Sequence, residues 1–304
     1  MSQVPWSSHA LLLREVLLEG YLVNRGPLRV GTGREPPLGS AVDLAVIRVR
    51  LGDKLVPYIP GSSLKGVFRS AAVQLARLKG LSVCTGLSGE TCMDWESPEL
   101  GGATLLSEIQ GMLREKRSEE AIKLFHEKAC LLCKVFGSLS FTGHVEFSDA
   151  YPIGEDGSVL DVPVGVRTGI SINRRTGAVY RGALYQVEYV EPGARFRFSI
   201  RATNLPNYGL GLLARVLRML NDGWVRVGGF KTRGFGEVAV ESLRFAARGP
   251  TVQGARMLAV DERDEEVNLA DAASVTQGWL SASGDGAWKA LAKLEGVWDR
   301  AKLG

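Results

Sequence analysis

The chain has 304 residues, 45% hydrophobic and 23% charged, with a mean hydropathy of +0.02 and a net charge of +4. That composition excludes a wholly disordered chain and supplies enough apolar side chain for one large core. No apolar run reaches the ~20 residues of a membrane span, since Ala10–Val23 is interrupted by Arg14, Glu15 and Glu19, and no export signal is legible; a cytoplasmic protein with four reduced cysteines is the expectation.

Charge is unevenly spread along the chain. Residues 1–80 carry 11 Lys and Arg against 5 Asp and Glu, and residues 160–235 carry 12 against 4. The remainder is acidic, with 6 against 13 over residues 81–159 and 8 against 11 over 236–304. Two basic blocks folded onto one face would suit a polyanion, and a solvated mixed surface is the plain alternative.

In chain order, Leu12–Val23 reads as a strand rich in Leu and Val that ends in the turn formers Asn24, Gly26 and Pro27. Arg29–Gly39, with three glycines and two adjacent prolines, reads as a loop, and regular structure resumes near Val42–Val49. After a turn at Tyr58–Gly61, Ser62 or Ser63 is a suitable N-cap for a helix whose apolar face is Leu64, Val67, Phe68, Ala71, Leu75 and Leu78. Lys65 and Arg69 lie four apart on its other face, near the free amides and the positive end of the dipole, where phosphate is favoured; a solubilising pair is the alternative.

Residues 80–128 read as an insertion, in which the Gly/Ser/Thr-rich stretch Cys84–Cys92 gives way to an acidic helical segment, Leu105–Lys128. Val145 and Phe147 alternate as a short strand, Val162–Val166 opens another irregular region, and Val187–Ile200 resumes strand character with Phe196, Phe198 and Ile200 on one face. A second amphipathic helix spans Tyr208–Asn221, stopped by Gly223, and the glycine-rich stretch 223–236 leads into a strand containing Val238 and Val240. In the tail, Asp261–Glu266 reads as a solvated acidic loop and Ala287–Arg300 as a packing helix. The order strand, helix, strands, helix, strand fits an α+β fold, a split βαβ, ferredoxin-like (RRM-like) sheet with helices on one face. The expected organisation is one core over residues 1–245 with insertions at about 80–140 and 160–190, then a C-terminal extension over 246–304 packing on it.

Two motifs resemble the signatures of the RAMP superfamily. Pro57-Tyr-Ile-Pro-Gly-Ser-Ser-Leu-Lys-Gly-Val-Phe-Arg-Ser70 is similar to the start of its first helix, and Gly228-Gly-Phe-Lys-Thr-Arg-Gly-Phe-Gly236 to its glycine-rich loop, in the same order along the chain. Glycines there allow positive φ and close approach of backbone N–H groups to phosphate, with Lys231 and Arg233 adding charge; a tight helix-to-strand turn is the alternative.

Two further stretches resemble the backbone subunit of a type III CRISPR effector complex. Gly31-Thr-Gly-Arg-Glu35 followed by Gly39-Ser-Ala-Val-Asp43-Leu-Ala-Val46 is similar to the loop whose aspartate is required for cleavage of target RNA; the matching position is Asp43, with Leu44 and Ala45 standing where asparagine and proline usually follow. Residues 167–193 resemble the family's thumb hairpin, which inserts between guide and target strands. Its turn, Asn173-Arg-Arg-Thr-Gly177, is flanked by β-formers, with Arg174, Arg175 and Arg181 positioned for phosphates; a basic surface hairpin is the alternative.

The resemblance implies RNA binding by Arg34, Ser62, Ser63, Lys65, Arg69, Arg167, Arg174, Arg175, Arg181, Lys231 and Arg233. It implies Asp43 as the catalytic residue, holding magnesium or another divalent cation against the scissile phosphate or orienting the attacking 2′-hydroxyl. Guide RNA, target RNA, other type III subunits and further copies of the chain are the implied partners, with no membrane. Two alternatives stand beside this: an RNA-binding subunit in which Asp43 is idle, and a guide-processing ribonuclease using His9, His126 or His144.

The cysteines form two local pairs, Cys84-x7-Cys92 and Cys130-x2-Cys133, with His126 four residues before Cys130 as an alternative ligand. Four soft ligands suit tetrahedral structural zinc, which the resemblance also implies for this insertion; four buried thiols are the other reading.

Overall fold

A computed structural model describes residues 5–31, 42–96, 98, 101–180 and 184–303. Strand β1 (Glu15–Asn24) is followed by the hairpin of β2 (Arg48–Leu51) and β3 (Lys54–Pro57), which leads into helix α1 (Gly61–Leu78). Helices α2 (Leu105–Arg114), α3 (Ser118–Lys128) and α4 (Leu131–Phe136) come next, then the short strands β4 (Gly137–Ser138), β5 (Phe141–Thr142) and β6 (Val145–Phe147). A hairpin of β7 (Val164–Gly169) and β8 (Tyr185–Val190) precedes β9 (Arg195–Thr203), helix α5 (Asn207–Asn221) and β10 (Val238–Arg248). Short strands β11 (Val252–Gln253), β12 (Arg256–Met257) and β13 (Val267–Asn268), the hairpin β14 (Ser274–Thr276) and β15 (Trp279–Ser283), and helix α6 (Asp285–Arg300) complete the chain.

The fold is mixed α+β, built on a six-stranded antiparallel sheet in the order β14-β15-β10-β1-β9-β6. β1 is its spine, with Val23 opposite Arg195 on β9 and Asn24 opposite Val238 on β10. Alternation on β9 buries Phe196, Phe198, Ile200 and Ala202 while Arg197 and Arg201 face outward, as the two-residue period of a half-covered strand requires. Leu64, Phe68 and Ala72 of α1 and Leu213, Leu217 and Leu220 of α5 join those residues in one core, each large side chain gaining roughly 1.5–3 kcal/mol from burial. Among the described residues, no helix is long and apolar enough to cross a membrane.

Several local expectations change. Val187–Ile200 is two strands, because the Glu191-Pro192-Gly193 turn intervenes: proline lacks a ladder N–H, and Gly193 stands at φ +97°. β7 occupies a stretch expected to be irregular, its pairing with β8 supplying an order that exposed residues do not signal by hydrophobic period. The helical stretch Leu105–Lys128 breaks into α2 and α3 around Lys116, which has φ +62°. Neither Ser62 nor Ser63 caps α1: Pro60 holds that position, and Asp149 Oδ1 accepts the Gly61 N–H at 2.7 Å from outside the helix. The acidic loop is not wholly solvated, since the Asp264 side chain is fully buried 3.7 Å from the equally buried Arg14.

Candidate nucleic-acid interface and metal centre

Four segments gather at the end of the sheet where β1 finishes. The segment after β1 carries Arg29 and Asp43, α1 begins there with Ser62 and Ser63, the β7–β8 hairpin rises between β6 and β9, and the glycine-rich loop joins α5 to β10. Antiparallel register thus gathers segments from both halves of the chain.

Asp43 docks on β8. The Leu44 N–H donates to Gln186 O at 3.0 Å, the Glu188 N–H donates to Leu44 O at 2.9 Å, and Asp43 Oδ2 accepts the Gln186 N–H at 2.6 Å. Glu188 completes the clamp, accepting from the Val46 N–H at 2.9 Å and from Arg48 Nη1 and Nη2 at 2.9 and 2.5 Å. Burial raises the Glu188 carboxyl, but those donors outweigh it and hold the group below its ordinary range. Asp43 itself is exposed, and its second oxygen has no protein partner among the described residues.

One residue away on β8, Arg233 Nη1 donates to Tyr185 Oη at 2.7 Å and ties the glycine-rich loop to the hairpin root. Aromatic rings hold the neighbouring guanidiniums: Arg233 and Arg29 lie 5.0 and 5.6 Å from the Phe230 centroid, and Arg167 lies 5.2 and 5.4 Å from Tyr189 and Phe235. Such contacts contribute about 0.5–1 kcal/mol each when exposed. Among the described residues neither Arg167 nor Arg233 has a carboxylate partner, so rings hold them with their charge open to a polyanion. Lys231 is exposed beside them, its carbonyl accepting from Arg226 Nη1 at 2.8 Å. Gly236, at φ +84°, lets the loop close, since a Cβ there would sit 2.0 Å from Val227 O.

Arg174 and Arg175 are exposed in the turn at the hairpin tip, where Asn173 Oδ1 accepts the Arg175 N–H at 2.9 Å. Arg34 and Arg181 lie outside the described residues. Sequence reading missed Arg29, Tyr185, Glu188, Tyr189, Phe230 and Phe235. A signal for the tyrosines was present: Gly165 opposes Tyr189 and Gly169 opposes Tyr185, so paired Gly-x3-Gly and Tyr-x3-Tyr spacings lay each ring over a glycine.

Lys65 and Arg69 line an open cleft of about 600 Å³ between α1 and residues 136–143, together with Ser138, Ser140 and Thr142. Burial, then the neighbouring Arg69, lowers the Lys65 ammonium pKa. Ser62 is exposed and Ser63 half-buried in the same first turn. Arg69 is the exception among the residues read as RNA contacts, because its fork points inward. Nη1 donates to Gly137 O at 2.9 Å, and Nη2 lies 3.6 Å from Cys133 Sγ and 3.8 Å from Cys84 Sγ.

Those sulfurs belong to a cluster. Cys84, Cys92, Cys130 and Cys133 bring their Sγ atoms within 4.8 Å of one another, with Cys84 and Cys133 at 3.2 Å and Cys84 and Cys130 at 3.7 Å. Tetrahedral thiolate ligation at about 2.3 Å from a metal separates sulfurs by about 3.8 Å, so the four can hold a metal ion. Local sequence builds the site: Cys130 stands at the N-cap of α4 with Cys133 in its first turn, while Gly86 and Gly89, at φ +81° and +79°, reverse the chain between Cys84 and Cys92. Met93, Leu105, Ile109, Ala121 and Phe125 surround the cysteines in a small core separate from the main one.

His126 is not among these ligands. Its Nδ1 lies 2.8 Å from Ser7 Oγ and its ring stands edge-on to Trp6 at 5.9 Å. His144 also meets Trp6, at 5.6 Å, and stacks on His9 at 4.1 Å. All three histidines therefore gather on the N-terminal segment, and burial lowers both His126 and His144 to about 4.

The chain matches the family model of the RAMP superfamily over residues 22–239, from the last residues of β1 into β10. It belongs to the RAMP superfamily. The matched span takes in the α1 start, the four cysteines, the β7–β8 hairpin and the glycine-rich loop, so the RAMP match covers every described segment of the candidate interface. Membership indicates a CRISPR-associated RNA-binding role, in a superfamily that includes some ribonucleases. No curated protein matches the chain.

Proposed function

We propose that this RAMP protein is the guide-RNA-binding backbone subunit of a type III CRISPR effector complex, and that it cleaves complementary target RNA at regular intervals with Asp43 at the reacting centre. One observation carries the reading: exposed Asp43 is anchored through Oδ2 to the Gln186 N–H, with its other oxygen unpartnered among the described residues, one residue from the Tyr185–Arg233 contact. An oxygen so held can ligate a divalent cation such as magnesium against the scissile phosphate, or orient the attacking 2′-hydroxyl. Lys65, Arg167, Arg174, Arg175, Lys231 and Arg233 bind the ribose-phosphate strands, joined by Arg34 and Arg181, while guide pairing supplies sequence specificity.

In this reading the core is ferredoxin-like, supported by the strand order β10-β1-β9-β6 with α1 and α5 as crossovers, and residues 246–304 are an extension on it. The four cysteines hold structural zinc, supported by their all-sulfur donor set and spacing. Copies of the chain, other type III subunits, guide and target RNA are the partners, in the cytoplasm. The guide-processing alternative has less support, because His144 is 1% exposed, His126 is engaged by Ser7 and Trp6, and exposed His9 has its Nε2 on Thr142 O and its ring stacked on His144.

The test is a complex assembled with guide RNA, magnesium and labelled complementary RNA, comparing wild type with Asp43→Asn, which keeps an acceptor for the Gln186 N–H and removes the charge. Evenly spaced fragments are expected from wild type, with cleavage slowed about 10²–10⁴-fold and target binding unchanged in the variant. Unchanged cleavage would remove Asp43 from the chemistry. No cleavage by wild type would favour the idle, structural subunit.

A further inference from the structure

We infer that Arg69 couples metal binding by the four cysteines to anion binding in the Lys65 cleft, so that each ligand tightens the other. For the RNA part this rests on the reading above; for the coupling itself it rests on where one guanidinium stands. The two sites share that side chain. Arg69 lines the cleft beside Lys65, yet its Nη2 reaches Cys84 Sγ and Cys133 Sγ and its Nη1 is held by Gly137 O. Its Nε is buried without a protein partner, a donor left over in a fork that is otherwise engaged. Gly86, inside the Cys84–Cys92 loop, leaves the room for it: a Cβ there would lie 2.2 Å from Arg69 Nε.

The cleft has the chemistry of an anion site. Lys65 and Arg69 line it with the hydroxyl residues Ser88, Thr91, Ser138 and Ser140, and no carboxylate is among its described lining residues. Four thiolates around a divalent cation carry a net negative charge, and N–H···S bonds from Arg69 would offset it. With metal bound, the thiolates draw the guanidinium into one position at the cleft wall. Without it, no ion gathers the four sulfurs, and Arg69 is left with its Gly137 O contact as its remaining anchor. An anion that fixes Arg69 from the cleft side must therefore raise metal retention, and metal must raise anion affinity by the same factor.

The experiment uses the full-length, zinc-loaded chain. Zinc release to a chelating indicator dye is followed with and without a single-stranded RNA oligonucleotide or inorganic pyrophosphate, in wild type, Arg69→Lys and Lys65→Ala. RNA affinity is measured in parallel with and without zinc. In wild type, saturating anion is expected to lower apparent zinc release about 5–50-fold. Arg69→Lys keeps one charge but has no fork to span both sulfurs and the cleft, so protection should vanish while the circular dichroism of the zinc-loaded fold is kept. Lys65→Ala should weaken anion binding yet leave zinc retention unchanged without anion. Equal protection in wild type and Arg69→Lys, or none in wild type with either anion, overturns the coupling. If RNA fails to bind but pyrophosphate still protects through Arg69, the coupling stands and the RNA-binding role fails.

Discussion

His144 shows how one side chain ties the N-terminal segment to the sheet. Its Nδ1 donates to Thr203 O at 3.0 Å, its Nε2 is buried without a partner, and His9 covers the ring. A proton on Nε2 would place a charge in the interior, and burial outweighs the help of the Ser7 and Thr203 backbone to hold the imidazole near 4. The native state therefore stays neutral where the unfolded chain already binds a proton. Stability is full above about pH 6.5, falls as pH drops toward 4, and is flat below; one such group accounts for about 3 kcal/mol across the window. A urea midpoint that declines from pH 6.5 to 4 is expected, with His144→Gln reducing the slope and His126 supplying the remainder. A midpoint constant over that range would contradict the assignment.

At the scale of elements, the glycine-rich loop is a set of close approaches rather than a flexible tether. Gly234 and Gly236 both stand at φ +84°, but nothing lies within 4 Å of a Cβ at Gly234, whereas one at Gly236 meets Val227 O at 2.0 Å. Gly234→Ala is expected to cost about 1 kcal/mol of backbone strain. Gly236→Ala must also displace the Val227 backbone, so it should lose more in thermal denaturation and weaken the RNA binding proposed for Lys231 and Arg233. Equal losses would refute the steric account. Elements with a strong local signature were legible beforehand: α1 and α5 from their apolar faces, and the β10 start from Val238 and Val240. β7 was not, because Arg167 and Thr168 are exposed and its order comes from pairing with β8.

For the whole molecule, the C-terminal segment is locked to the first strand by a buried charge. Arg14 donates to Asn207 Oδ1 at 2.5 Å and Leu258 O at 2.8 Å and faces Asp264, while burial lowers its pKa to about 10 and raises that of Asp264. Arg14→Met leaves buried Asp264 without its countercharge, on the Tyr208 and Val260 N–H groups, and a loss of about 3–5 kcal/mol in chemical denaturation is expected. Arg14→Met combined with Asp264→Leu should recover part of it, and a double variant no more stable than the single one would show that the pair is not the cause. Arg215 and Arg218 on Glu295 join α5 to α6 in the same region, at 3.0 and 2.7 Å.

Sequence alone determined the periodic helices, the glycine positions that need positive φ, the cysteine pairs and the segregation of basic residues, because each depends on neighbours within a few residues. Tertiary structure decided which of these meet. It set Asp43 against Gln186 of β8, turned Arg69 toward the sulfurs, gave His126 to Ser7 and buried Asp264 on Arg14. Strand register and helix packing sum contacts over the entire chain, so the partner of a single polar group is decided only when the core has closed around it.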